Sequence, residues 1–321
     1  EGAAWQVSEA SENIALQTAE VYLDIFHREN QLELAKDNLV VHQKILDQIE
    51  VLMDSGAGRK ADLKQAEGRL ALAKSSLVDA QGRLRDTQFN YLRVTGEPAE
   101  GLELPDAAAI KNEIPTTLEA ALDDAIEMHP TMRSAESRLT AARVIRKQSR
   151  SSYFPRIDLE VEASRNDNLD GIAFENNDVA AMLRLRYNLY RGGADRARQR
   201  ETANLVEAAR ESSNRARRIV EEEVRLAWNS LITIRDRLEH LQQHVKSSEE
   251  VLEAYRQQFK LGQRSLLDVL DSENELFGAR SALKNAEYAE LFSMYRVLAG
   301  QGKLLKILGV KKSDQAMVGG K

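Results

Sequence analysis

Few side-chain groupings in this chain have the types and spacing that chemistry requires. His240 and His244 stand one helical turn apart, as two metal-binding imidazoles would, but no third ligand accompanies them and a solvated helix face explains them. Asn166-Asp167-Asn168-Leu169-Asp170-Gly171 imitates the start of a calcium loop. It opens on Asn, however, and its twelfth position is Asn177 where Glu is needed, so a strand-connecting loop is the better reading. Arg143, Arg146, Lys147 and Arg150 could meet phosphates of nucleic acid or lipid. With 45 Lys+Arg against 51 Asp+Glu the chain is mildly acidic, which argues against a nucleic-acid coat and for a charged helix face approaching a membrane. There is no cysteine, P-loop, nucleophile elbow or dinucleotide fingerprint, so no catalytic residue, cofactor or metal ligand is assigned. Asp268 and Asp271 lie one turn apart on one face of a helix start, either complementing the helix dipole or projecting charge together.

The elements that carry these residues are mostly helices. All five prolines fall between Pro98 and Pro155, and residues 194–261 contain neither Pro nor Gly. Proline costs about 3 kcal/mol inside a helix and glycine about 1, so that stretch predicts one continuous helix roughly 100 Å long. Val220, Val224, Ala227, Leu231, Ile234, Leu238, Leu241, Val245, Ser248, Leu252, Tyr255 and Phe259 follow a 4-3-4-3 spacing, the seam of a coiled coil.

The seam recurs earlier as Ile14, Thr18, Val21, Ile25, Arg28, Leu32, Ala35, Leu39, His42, Leu46, Ile49 and Met53, an offset of 206 (220 − 14). The offset holds through Gly56/Gly262, Asp62/Asp268, Leu70/Leu276, Ala73/Ala279 and Leu77/Leu283, which reads as an internal duplication. Each copy is a helical hairpin with a glycine-bearing tip. In the first descending helix Leu63, Ala66, Leu70, Ala73, Leu77, Ala80 and Leu84 alternate large and small, a packing pattern.

Between the hairpins the period changes to two. Ile157, Leu159, Val161 and Ala163 share one face, with Asp158, Glu160, Glu162 and Ser164 opposite. In a second run Val179, Ala181, Leu183, Leu185, Tyr187 and Leu189 lie opposite Ala180, Met182, Arg184, Arg186 and Asn188. One apolar and one charged face suits a transmembrane β-hairpin, with lipid on one side and water on the other. Two strands are not stable alone, so they need partners in other subunits or in further sequence. By the offset, the first copy lacks its leading helix and both strands, about ninety residues, and a complete protein is expected to carry four strands.

The organisation expected is therefore mainly α: 1–94 a helical hairpin, 95–116 an irregular linker, and 117–152 a helix. It continues as 153–193 the β-hairpin with a loop at 165–178, 194–309 the second helical hairpin, and 310–321 a tail.

In this order and with this duplication, Tyr22-Leu23-Asp24, Leu118-Glu119-Ala120-Ala121 with His129-Pro130, Tyr153-Phe154-Pro155-Arg156, Asn188-Leu189-Tyr190-Arg191-Gly192-Gly193 and Gly262-Gln263-Arg264-Ser265-Leu266-Leu267-Asp268-Val269-Leu270-Asp271 make the chain resemble the TolC family of outer-membrane efflux and secretion channels. The junction and tip motifs look closest to the type I secretion branch. The resemblance implies a homotrimer closing a twelve-strand β-barrel in the outer membrane, continued by a twelve-helix α-barrel across the periplasm. It implies a passive exit duct, not an enzyme, working with a periplasmic adaptor and an inner-membrane ABC or RND pump and opened by iris-like movement of the tips. The alternative is a soluble coiled-coil scaffold.

The same resemblance makes Asp268 and Asp271 a periplasmic gate, and Asp62, Arg264 and Phe259 its latch, although the family's tyrosine hydroxyl is replaced by Phe259. It makes Gly56, Gly58, Arg59, Gly262, Gln263 and Ser265 adaptor contacts. Asp158, Glu160, Glu162, Arg184 and Arg186 would face the barrel lumen, and Ile157, Leu159, Val161, Leu183, Leu185 and Tyr187 the lipid.

Overall fold

The computed structural model describes residues 2–56, 58–167 and 175–310. In chain order it contains helices α1 (Gly2–Asp54), α2 (Lys60–Thr95), α3 (Ala107–Lys111), α4 (Leu118–Met128) and α5 (Pro130–Gln148). A 3-10 turn (Ser149–Tyr153), strands β1 (Arg156–Asp167) and β2 (Glu175–Arg186), and helices α6 (Ala194–Lys260), α7 (Leu266–Gly300) and α8 (Leu304–Ile307) follow. The chain divides into two units, one of residues 132–217 and one of residues 3–131 with those from 218 onward.

The duplication is visible in the element boundaries. Subtracting 206 from the last residue of α6 gives 54, the end of α1, and from the first residue of α7 gives 60, the start of α2. All twelve seam positions of α6 are buried or half-buried, with Val224 and Leu231 fully enclosed. In α1 every seam position but one is likewise covered. Ile14, expected in the seam, is 59% exposed; Ser8 and Glu12 are the buried residues there, and Glu12 accepts a bond from the Leu305 amide at 3.4 Å. The first seam is thus displaced where α8 packs, because that stretch covers a tertiary neighbour absent from the repeat pattern.

In the larger unit α7 serves both hairpins. With α6 it forms Arg235–Glu290 (2.9 Å) and Arg280–Glu249 (2.7 Å). Towards α1 it offers Tyr288 to Asn30 (2.7 Å) and Asn285 to Gln31 (2.8 Å). The main apolar cluster joins Leu23 of α1, Ala227 and Leu231 of α6, and Leu291, Val297 and Leu298 of α7. Truncating such an enclosed Leu to Ala costs about 2–5 kcal/mol.

The segment expected as an irregular linker is packed. Ile110 and Ile114 join the main cluster, and Ala99 and Leu102 cover Val21, Ile25 and Tyr91. The Tyr22 hydroxyl donates to the Glu103 carbonyl at 2.6 Å and accepts from its amide at 3.2 Å.

Residues 117–152, expected as one helix, form two helices and a 3-10 turn. Pro130 disfavours helical backbone at the preceding residue, and His129 is extended (φ −62°, ψ 129°). Its ring then accepts the Thr131 amide at 3.2 Å, capping α5. Gly302, at φ +69°, seals this corner: a Cβ there would stand 3.1 Å from the His129 Cα.

Candidate functional site

The β-hairpin belongs to the smaller unit. Its antiparallel register places Ile157 opposite Leu185, Leu159 opposite Leu183, Val161 opposite Ala181 and Ala163 opposite Val179. These four pairs form one continuous apolar face, and its six large side chains are 60–82% exposed. On the other face Arg184 reaches Glu160 (2.9 Å), while Asp158 takes both Arg156 (2.8 Å) and Arg186 (3.2 Å). The expected lumen residues Asp158, Glu160, Glu162, Arg184 and Arg186 do share a face, as do the expected lipid-facing ones up to Leu185.

Tyr187, and with it Leu189, falls outside the strand, because β2 ends at Arg186. The residue that would pair beyond it is Pro155, which has no amide to extend the ladder. At the other end the strands run further than expected: Arg165 pairs with Asn177 and Asp167 with Glu175, so the loop expected at 165–178 shortens. The calcium-like residues Asn168 to Gly171 lie outside the described residues, as do Ala57 of the first tip and residues 311–321 of the tail. Among the described residues no group of His, Cys, Asp or Glu could hold a metal.

The two tips lie in the larger unit and are built differently despite their common origin. In the second, Gly262 takes φ +73°; its amide donates to Phe259 (2.9 Å) and that of Gln263 to Gln258 (2.9 Å), a paired bond that closes α6. Ser265 and Asp268 then form a reciprocal capping box that starts α7. In the first tip Gly56 has φ +78° and its amide donates to Met53 (3.0 Å). Gly58 approaches Met53 so closely that a Cβ would lie 2.7 Å from its nitrogen. The residue matching Ser265 is Arg59, and α2 begins with no side-chain cap.

The residues expected at the gate are engaged within the chain. Asp268 accepts the Ser265 hydroxyl at 2.8 Å, and this bond, with the Ser265 amide and nearby Arg264, holds its carboxyl below the usual range. Asp271 pairs with Arg69 of α2 at 2.5 Å, across the two hairpins. The expected latch is distributed otherwise within the protomer. Arg264 bonds Gln258 (3.0 Å), stacks on Tyr255 (4.0 Å) and approaches Asp268 (3.9 Å), all within its own hairpin. Phe259 packs into the two apolar clusters around Leu266 and Val269; the Asp62 amide donates to the Arg59 carbonyl (3.0 Å), and its carboxylate makes no ion pair among the described residues. Besides the Asn30–Tyr288 and Gln31–Asn285 bonds, a link between hairpins that sequence reasoning missed is the ion pair of Arg69 with Asp271. The only signal of Arg69 is a position beside the buried Leu70.

Two buried groups sit near that link. His42 is 2% exposed, and burial followed by repulsion from Arg69 lowers its pKa despite a bond with Asn274. Glu273 is buried against Arg256, whose Nε donates at 3.0 Å; burial nevertheless raises its pKa. The expected adaptor contacts Gly56, Arg59, Gly262, Gln263 and Ser265 are exposed, and Gly58 is half-buried. Beside the tips runs a groove of about 920 Å³, floored by Ile45, Ile49 and Val269 and edged by Lys44, Arg256 and Lys260.

The fold and sites have known counterparts. The outer membrane efflux protein family matches residues 121–294. The chain is 24% identical over 294 residues to the outer membrane efflux protein BepC of Brucella suis, covering 91% of this chain and 64% of that protein. It is 23% identical to the outer membrane protein TolC of Vibrio cholerae, covering 93% and 70%. The chain thus spans roughly two thirds of the length of the relatives it matches. The open-state MtrE channel of Neisseria gonorrhoeae superposes with a TM-score of 0.77 at 18% identity, over 92% of this chain and 68% of that one. Such channels are mainly α, with helical hairpins below a β-barrel, and sit in the Gram-negative outer membrane with a periplasmic extension. The duplicated hairpins, the two-faced β-ribbon between them and the family match over more than half the residues make this chain a member of the outer membrane efflux protein family, the TolC-like channels.

Proposed function

We propose that the protein of which this chain is part works as a homotrimeric exit duct in a tripartite export system. The observation that carries this reading is the β-ribbon: an apolar face of four consecutive cross-strand pairs stands uncovered, back to back with a charged face. Water on both sides would leave that apolar face with nothing to bury it, whereas a barrel wall gives lipid to one face and an aqueous bore to the other. A soluble scaffold has no use for such a ribbon. Three chains contribute strands jointly. The duct is passive and not an enzyme; energy comes from an inner-membrane ABC or RND pump coupled through a periplasmic adaptor.

Within this reading the exposed tips, and the groove with its cationic edge, receive the adaptor. The tips part in an iris-like movement. Asp268 and Asp271 of three subunits ring the constriction, where carboxylates favour cations. The hold on the closed state lies in Arg69–Asp271 inside each protomer, and an Arg264–Asp62 link acts only between subunits, since one protomer does not form it. One relative of this chain is named for alkaline protease secretion and another for pyoverdine export, so the proposed cargo is a secreted protein or a small molecule.

The test is made on the full-length protein. Spin labels at Leu159 and Leu183 should be quenched by a lipid-soluble relaxant, and labels at Glu160 and Arg184 by a water-soluble one. The purified trimer should conduct ions in planar bilayers. A monomeric, water-soluble protein with all four labels reporting water would remove the duct.

A further inference from the structure

We propose that the helix pair at the base of the β-ribbon carries a docking surface for anionic phospholipid headgroups, formed by Arg143, Arg146 and Lys147 of α5 and Arg150 of the 3-10 turn that follows it, with Arg196 and Arg200 of α6. This rests on the membrane-inserted reading of the ribbon and adds a binding partner to it.

The surface starts from an imbalance of charge. From Arg138 to Arg156 there are six basic residues and no Asp or Glu, and from Arg186 to Arg200 there are five with Asp195 alone. Some of these cations are neutralised: Arg156 and Arg186 by Asp158, Arg191 by Asp195 (3.4 Å), and Arg198 by Glu201 (2.9 Å). The six named above are exposed, and none forms an ion pair among the described residues.

The helix geometry gathers them. At 3.6 residues per turn Arg143, Arg146 and Lys147 fall within an arc of roughly 100° on α5, Arg150 follows in the 3-10 turn, and Arg196 and Arg200 lie one turn apart on α6. The packing faces are fixed by the Ser149–Thr202 hydroxyl contact (3.2 Å), by half-buried Ala142 and Gln199, and by buried Val206. On each helix the cations sit roughly a quarter turn from that packing face, in the same rotational sense. Two antiparallel helices that face each other turn equal rotations to the same side, so the six charges share one side of the pair. The paired Arg198 and the opposite-lying Arg138 fall on the other side.

Position supplies the partner. Arg150 is followed by exposed Tyr153 and by Phe154 (69% exposed), and β2 by exposed Tyr187 and Tyr190 (85%). Amphipathic rings at the end of lipid-facing strands mark the level where hydrocarbon gives way to headgroups. The four cations from Arg150 back to Arg143 extend about 10 Å further along the turn and α5, the distance over which the potential of an anionic leaflet acts. Six like charges on one patch repel each other, and a layer of phosphodiesters supplies the counter-charge. With a periplasmic extension below the barrel, that layer is the periplasmic leaflet.

The experiment uses the full-length trimer in nanodiscs of equal parts phosphatidylglycerol and phosphatidylcholine, with retained lipids counted by native mass spectrometry. Wild type should retain phosphatidylglycerol selectively, less so at high salt, and inorganic phosphate should not displace it. The variant R143Q/R146Q/K147Q/R150Q should lose that selectivity at least about tenfold, while R138Q/R198Q keeps it. Equal selectivity in the first variant, or displacement by inorganic phosphate, overturns the proposal. So does unchanged lipid retention with altered ion selectivity in planar bilayers, which would turn the patch towards the bore. If the fourfold variant fails to assemble, a phosphatidylglycerol analogue with a photoreactive headgroup is applied to wild type. Crosslinks within 143–150 and 196–200 support the surface, and their absence there overturns it. Spin labels at Leu159 report ribbon insertion separately, so failure of the duct reading is told apart from failure of the lipid surface.

Discussion

If Arg69–Asp271 holds the two hairpins of a protomer together, breaking it should favour the open duct by an amount its exposure limits. The guanidinium and carboxylate lie 2.5 Å apart, with side chains 32% and 57% exposed. Such a half-solvated pair contributes about 0.2–1 kcal/mol. Three pairs released together would give about 0.6–3 kcal/mol, or roughly a 3- to 150-fold rise in the open-to-closed ratio at RT of about 0.6 kcal/mol. The assay is single-channel recording of the full-length protein in planar bilayers for Arg69→Gln, Asp271→Asn and both. Each single variant should raise the open probability, and the double variant should exceed neither, since the interaction is already gone. Effects that simply add in the double variant would show the two residues to be uncoupled and refute the latch. Loss of cation selectivity in Asp271→Asn without a change in opening would leave Asp271 as a charge in the gate only.

The capping difference between the tips predicts that Arg59→Ser recreates beside Asp62 the box formed by Ser265 and Asp268, stabilising the first tip by about 0.5–1 kcal/mol. Hydrogen exchange at the start of α2 should slow accordingly. His42 and His129 both have pKa values lowered by burial, so the unfolded chain binds their protons first. Stability is therefore full above the ordinary histidine value of 6.5 and is lost as pH falls below it. Replacing His42 with Ser, the residue the second copy carries at Ser248, should shrink the fall in melting temperature between pH 7.5 and 5.5 by roughly 2 °C, and an unchanged fall would place the effect elsewhere.

The helices, the tips and the faces of the ribbon were legible in the chain because each is written in local period. A 3.5-residue seam and a 67-residue helix follow from spacing and from the absence of breakers. The two-residue alternation of Ile157 to Ala163 fixes which side chains share a face whatever the strand pairs with. The 206-residue duplication is kept in the structure at the tips, where the ends of α1 and α6 and the starts of α2 and α7 hold the same offset. The break at His129 has its cause in the chain, Pro130, although one helix over 117–152 is what the sequence reading expects.

Tertiary structure decided what depends on which faces meet. That Asp271 takes Arg69 while Arg264 turns back onto Tyr255 and Gln258 depends on the placement of α2 and α7, which no period encodes. That Ile14 is exposed while Glu12 is buried follows from α8, a helix some three hundred residues away and outside the repeat. The same holds for the packing of residues 99–114, whose irregular backbone carries no periodic signal and is held by side chains on α1, α2 and α7. Spacing along one element sets which residues share its surface, and only the folded arrangement sets what that surface touches.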